Sequence, residues 1–104
     1  MTKIKKYVEQ IADELDGAKG YIETALEYKA AGNSPENVAR YTKYKDMSIA
    51  ELGHATNLHQ FAVEDIERLK AVYPQIPQEM MDKWEHSHIE FVEKAAWIRQ
   101  MQSM

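Results

Sequence analysis

The sequence predicts an all-α chain, a three-helix chain made of a long antiparallel hairpin plus a third helix. Three observations carry this expectation. Apolar residues recur at alternating steps of three and four along most of the 104 residues. No apolar–polar alternation runs long enough to make a strand. Only two segments, "AAGNSPEN" at 30–37 and "YPQIPQ" at 73–78, contain the residues that end helices. With no linker, repeat or low-complexity tract, residues 1–104 read as one small helical domain.

The first helix is expected over about residues 3–31, with an inward stripe of Ile4, Tyr7, Ile11, Glu14, Ala18, Tyr21, Ala25 and Tyr28, widened by Val8, Leu15 and Ile22. Gly32 and Asn33 suit its C-terminus. Ser34 is a good N-cap for the second helix and Pro35 fits its first position, although Asn37 stands where a full capping box needs an acid or glutamine. That helix should run over about 35–72, a length of roughly 57 Å at 1.5 Å per residue. Its stripe reads Tyr44, Met47, Glu51, His54, Leu58 and Phe61, widened by Ser48, Ala55 and Ala62. Pro74 and Pro77 forbid its continuation. A third helix follows over about 78–101, with Met81, Trp84, His88, Phe91, Ala95 and Ile98 as its stripe.

Composition excludes several classes. Net charge is −4 with acids and bases mixed throughout, so no basic stripe offers itself to nucleic acid. No apolar run could span a membrane, and the lysines of "MTKIKKYVEQ" precede no apolar signal core. Cysteine is absent, which removes disulfides, thiolate metal sites and cysteine nucleophiles and suits a cytoplasmic protein. A chain this small often needs a staple or a partner; without cysteine, the staple would be a metal or another subunit.

Three titratable residues interrupt the stripes: Glu14, Glu51 and His54. Residues i and i+3 share a helix face, so Glu51 and His54 can reach one point. In an antiparallel hairpin turning near residue 33, the level of 51–54 meets the first helix at about residue 13 or 14. Glu14 lies there on the stripe, whereas Glu23 falls outward and about two turns nearer the loop. A cluster of two carboxylates and one imidazole between the helices is therefore expected. Burying unpaired carboxylates is costly, and a divalent cation would offset that cost. The oxygen and imidazole donors suit iron, manganese or zinc. A hydrogen-bonded polar cluster that fixes helix register would use the same residues; the coincidence of stripe, level and motif favours metal. Gly17, Gly20 and Gly53, each costing about 1 kcal/mol in a helix interior, suggest close backbone approach nearby.

One Glu plus one Glu-x-x-His is half of a carboxylate-bridged dinuclear site. The second match, Glu85-x-x-His88, does not supply the other half. The second turn centres near residue 75, so the third helix reaches the 51–54 level at about Trp97, and His88 is expected near Phe61, Ala62 and Asp65. The missing half would come from a second copy across a twofold axis.

At this point the residues resemble a known family. Tyr44-x-x-x-Ser48-x-x-Glu51-x-x-His54-Ala55 and Glu14-x-x-Gly17-x-x-x-Tyr21-x-x-x-Ala25 are similar to the metal-binding helices of rubrerythrins and ferritin-like proteins. The half-length layout resembles the encapsulated ferritins, and the similarity covers about residues 8–62. The resemblance implies a ferritin-like four-helix bundle completed by dimerisation, two irons shared between subunits, and oxidation of Fe(II) by dioxygen in iron storage or detoxification. It implies Glu14, Glu51 and His54 as catalytic metal ligands and Tyr21 as a tyrosine near the metals. It also implies a homodimer or higher homo-oligomer, with a surrounding protein shell as a further partner. No shell-docking peptide follows the third helix, which ends in "MQSM".

Two rival readings use other features: a non-enzymatic interaction module docking through an exposed Trp84, Phe91 and Trp97 face, and a dinuclear enzyme acting on peroxide. Glu85 is expected at the surface with His88 partly buried, and His59 and His86 as solvated helix positions.

Overall fold

The computed structural model describes residues 2–73 and 75–104. They form three helices, α1 (Thr2–Ala30), α2 (Pro35–Val72) and α3 (Gln78–Gln102), within a residue or so of the sequence-derived limits. The caps explain the boundaries. After α1 the chain turns at Gly32, whose φ of 127° is a conformation that side chains with a Cβ rarely adopt. Ser34 is extended, and its Oγ accepts a hydrogen bond from the Asn37 N–H at 3.2 Å. Pro35 occupies the first turn, where no amide donor is missed. Of the two prolines expected at the second break, Pro77 is the residue from which α3 starts; Pro74 lies outside the described residues.

α1 is the central element. It packs along α2 over most of its length, α3 lies against α1, and α3 meets α2 along a narrower line. The core consists of Ile4, Ile11, Leu15, Ala18, Ile22 and Ala25 from α1, Leu52, Ala55, Ala62 and Ile66 from α2, and Trp84, Phe91, Ala95 and Ile98 from α3. The fully buried Ser48 donates its hydroxyl to the Ala18 carbonyl at 2.7 Å and accepts from Gln102 Nε2 at 3.0 Å, joining all three helices at one level. Lys94 extends the α1–α3 contact, pairing with Asp16 at 3.8 Å and Glu90 at 3.0 Å.

Two expectations about facing are corrected. The buried line of α2 is Ser48, Leu52, Ala55, Ala62 and Ile66. The stripe Met47–Glu51–His54–Leu58–Phe61 lies to one side of it, with Met47 40% and Phe61 53% exposed. The reason is where α3 docks. It covers the flank of α2 that carries Ser48 and His59, leaving the opposite flank open. On α3, Trp84 and Phe91 are buried at 8% and 7% exposure, while Trp97 is exposed under the Lys19 ammonium. The expected aromatic docking face of three rings therefore does not form. Among the described residues, no helix is long and apolar enough to cross a membrane.

The rod measures 58 × 18 × 16 Å with a radius of gyration of 16.9 Å. A compact globule of this length would have about 13 Å.

Candidate metal centre

The centre is built from two turns of α1 and two of α2, at the level set by the hairpin. Glu14 projects from α1 on the flank away from α3. Glu51 and His54, one helical turn apart on α2, project toward it. Among the described residues these three are the one group in which three ligand atoms approach closely enough to hold a metal, all within 4.8 Å of one another. His54 Nδ1 lies 3.7 Å from Glu14 Oε2 and 3.9 Å from Glu51 Oε1. First-row divalent ions with bonds of about 2.1 Å keep neighbouring ligand atoms about 3.0–3.4 Å apart, so each histidine–carboxylate pair would close by under about 1 Å.

The electrostatics of the pair are unfavourable as they stand. Glu14 Oε2 is shut off from solvent and has no hydrogen-bond partner. Two ionised carboxylates cannot donate to each other, so the contact needs a shared proton or a cation. A proton shared with the Glu14 carboxyl, favoured at this contact, then burial, then the Glu14 charge push the Glu51 carboxyl above its usual range, against a smaller opposing pull from His54. Gly17 makes room for the arrangement. A Cβ at that position would lie 3.2 Å from Glu51 Oε2, so a side chain there would press on the carboxylate. An orphaned carboxylate oxygen, a glycine-made gap and a donor set of two carboxylates and one imidazole together fit a divalent cation.

In the single chain the site is partly open. Glu14 and Glu51 side chains are each 29% exposed and that of His54 is 59% exposed, because the cluster lies on the open flank of the hairpin. Of the three glycines expected to mark close approach, Gly17 alone does so; a Cβ at Gly20 or Gly53 would meet open space. Tyr21 packs its ring on Tyr44 at 6.3 Å, which stacks in turn on Tyr28 at 5.8 Å. Among the described residues it makes no hydrogen bond to the cluster. Glu23 is exposed and outside it.

The remaining candidates separate. Glu85 is exposed, as is His86, which lies 3.8 Å from Glu90. His88, expected near Phe61, Ala62 and Asp65, meets His59. Its Nδ1 lies 2.8 Å from Nε2 of His59, which is half-buried rather than solvated. Azimuth on the helix decides this: His59 faces α3, whereas Phe61 and Asp65 turn away from it. Spacing alone missed the pair: mirrored about residue 75, position 88 meets Ala62, about one helical turn past His59.

No family model, curated protein or solved structure matches the chain.

Proposed function

We propose that two copies of this chain pair through the open flank of the α1–α2 hairpin and form a dinuclear iron site, where Fe(II) is oxidised by dioxygen. The observation that carries the proposal is the convergence of Glu14, Glu51 and His54 with one carboxylate oxygen enclosed and unpartnered. Each chain offers three ligands, half of what a dinuclear carboxylate site requires. The open flank supports a second copy as the source of the rest. Its half-exposed heptad stripe of Met47, Glu51, His54, Leu58 and Phe61 has the 4-3-4-3 spacing of a helix–helix seam. The excess length of the rod points the same way. So does its 6745 Å² of accessible surface, against about 6,000 Å² for a compact monomer of this mass.

Fe(II) is the substrate, and two ferrous ions supply the two electrons that reduce dioxygen to peroxide, which takes up two protons. The chain's own groups bind and position. Glu14 and Glu51 neutralise the cations and can shift between one-oxygen and two-oxygen binding as the charge rises. His54 donates one ring nitrogen, and its exposed ring leaves the other nitrogen open to solvent or to the second copy. The net charge of −4 favours cation approach.

The experiment adds Fe(II) anaerobically, then admits air while ferric absorbance is followed, with peroxide replacing air in a parallel arm. Rapid oxidation is expected in the native chain and loss of about 10- to 100-fold in rate in Glu51→Ala and His54→Ala. Equal rates in all three proteins would overturn the proposal. For the alternative of a non-enzymatic interaction module, a docking face of Trp84, Phe91 and Trp97 is removed, since two of the three rings are buried.

A further inference from the structure

A second pair of metal-ligating side chains lies on the other flank of α2. His59 on α2 and His88 on α3 face each other with Nε2 and Nδ1 2.8 Å apart. The surroundings hold His59 in place: its ring stacks on Phe91 at 4.2 Å and 11°, lies near Trp84 at 5.6 Å and 25°, and meets His88 edge to edge with centroids 5.0 Å apart. Phe91 and Trp84 are buried, so this side of the imidazole is fixed by the core. His88 is exposed, so the other side is open to ions and water.

We propose that His59 and His88 form a divalent transition-metal site of the zinc or nickel class, which clamps α3 onto α2. Two nitrogens from different helices, at 2.8 Å, must separate to the about 3.0–3.4 Å between neighbouring ligands of one such ion, and the rings must turn so that both lone pairs aim at a point beside the line joining them; the exposed His88 has room to turn. Binding requires no net loss of protons when both rings are neutral. The proton shared between the facing nitrogens moves to the far nitrogen of its own ring, freeing both lone pairs for the ion. Burial, then the His88 charge, hold His59 below its ordinary value, which keeps that ring neutral and competent to bind. Water completes the coordination on the exposed side, and Glu85, one turn before His88 on the exposed surface, is the carboxylate within reach by spacing. The clamp has a structural purpose. α3 is held mainly by α1 and meets α2 only narrowly, so a bond across the histidines strengthens the weakest of the three helix contacts.

This inference is independent of the iron site, and its test is run where that site is disabled. In a chain carrying Glu51→Ala and His54→Ala, titration calorimetry with Zn²⁺ or Ni²⁺ should show one ion bound per chain and a rise in melting temperature. Adding His88→Gln, an exposed change that leaves the core intact, should abolish both. Imidazole NMR resonances of the His59 and His88 rings, followed in the unsubstituted protein during the same titration, report on the site without any substitution there. Unchanged stoichiometry in the His88→Gln variant, or no Zn²⁺-dependent change at either ring, would overturn the clamp and leave a plain hydrogen-bonded histidine pair.

Discussion

At the scale of single residues, Gly17 separates stability from metal binding. Alanine is favoured over glycine in a helix interior by about 1 kcal/mol. At position 17, however, the added carbon would lie 3.2 Å from the Glu51 carboxylate, which must move by a few tenths of an ångström. Because Glu51 is partly exposed, it has room to do so. The metal-free Gly17→Ala protein should therefore melt at a temperature equal to the native one or a few degrees higher. Its Fe(II) affinity should fall, because the displaced carboxylate no longer converges with Glu14 and His54. Parallel melting curves and anaerobic Fe(II) titrations check this; undiminished affinity would mean that Glu51 does not bind metal from the position seen. Much of the site was legible from the sequence. Glu14 could be matched to Glu51 and His54 because an antiparallel hairpin equates residues equidistant from its turn. The contribution of Gly17 was visible only as one of three glycines, since spacing does not say which of them meets a side chain.

At the scale of elements, the α1–α2 pairing is fastened at its far end by Tyr7, Lys3 and Arg68 around Asp65. The Tyr7 hydroxyl donates to Asp65 Oδ2, Lys3 lies 3.1 Å from the same oxygen, and Arg68 lies 3.1 Å from Oδ1. The Tyr7 bond and then the Lys3 bond hold Asp65 below its ordinary value of 3.8. The bond to Asp65, then burial and the Asp65 charge hold Tyr7 above 10.0. A depressed carboxylate contributes stability that is present above the unfolded value and lost as pH falls through the folded one. A raised phenol contributes stability that is present below its unfolded value and lost as pH rises through the folded one. Tyr7→Phe should thus lower the melting temperature across the neutral range, and the gap to the native protein should narrow below pH 3.8 and above pH 10.0. A gap independent of pH would show that the ring's packing, not its hydroxyl, carries the contribution. Element boundaries were legible because glycine, serine and proline chemistry at 32–35 is local. The facing of α2 was not. A stripe of Met47, Leu58 and Phe61 has the same period whether it meets the core or a neighbour, and the docking side of α3 depends on contacts distant in sequence.

At the scale of the whole molecule, that facing supports the proposed assembly. An exposed flank bearing Met47 and Phe61 lies beside the proposed half-set of ligands, and a twofold axis would cover both copies at once. Phe61→Glu places a carboxylate in the proposed seam at an exposed position that is not a ligand, since Phe61 is 53% exposed. Burying an unpaired charge costs more than about 1.4 kcal/mol, so dimer dissociation should rise at least about tenfold. Ile89→Glu serves as the comparison, because Ile89 is similarly exposed but belongs to α3, on the flank away from the cluster. Sedimentation of metal-loaded protein should then find the native chain and Ile89→Glu at twice 12.1 kDa and Phe61→Glu shifted toward the single chain, with helical circular dichroism alike in all three. If Phe61→Glu pairs as tightly as the native chain, the seam lies elsewhere. If Ile89→Glu is the variant that dissociates, the copies meet through α3, and Glu14, Glu51 and His54 must hold their cation within one chain.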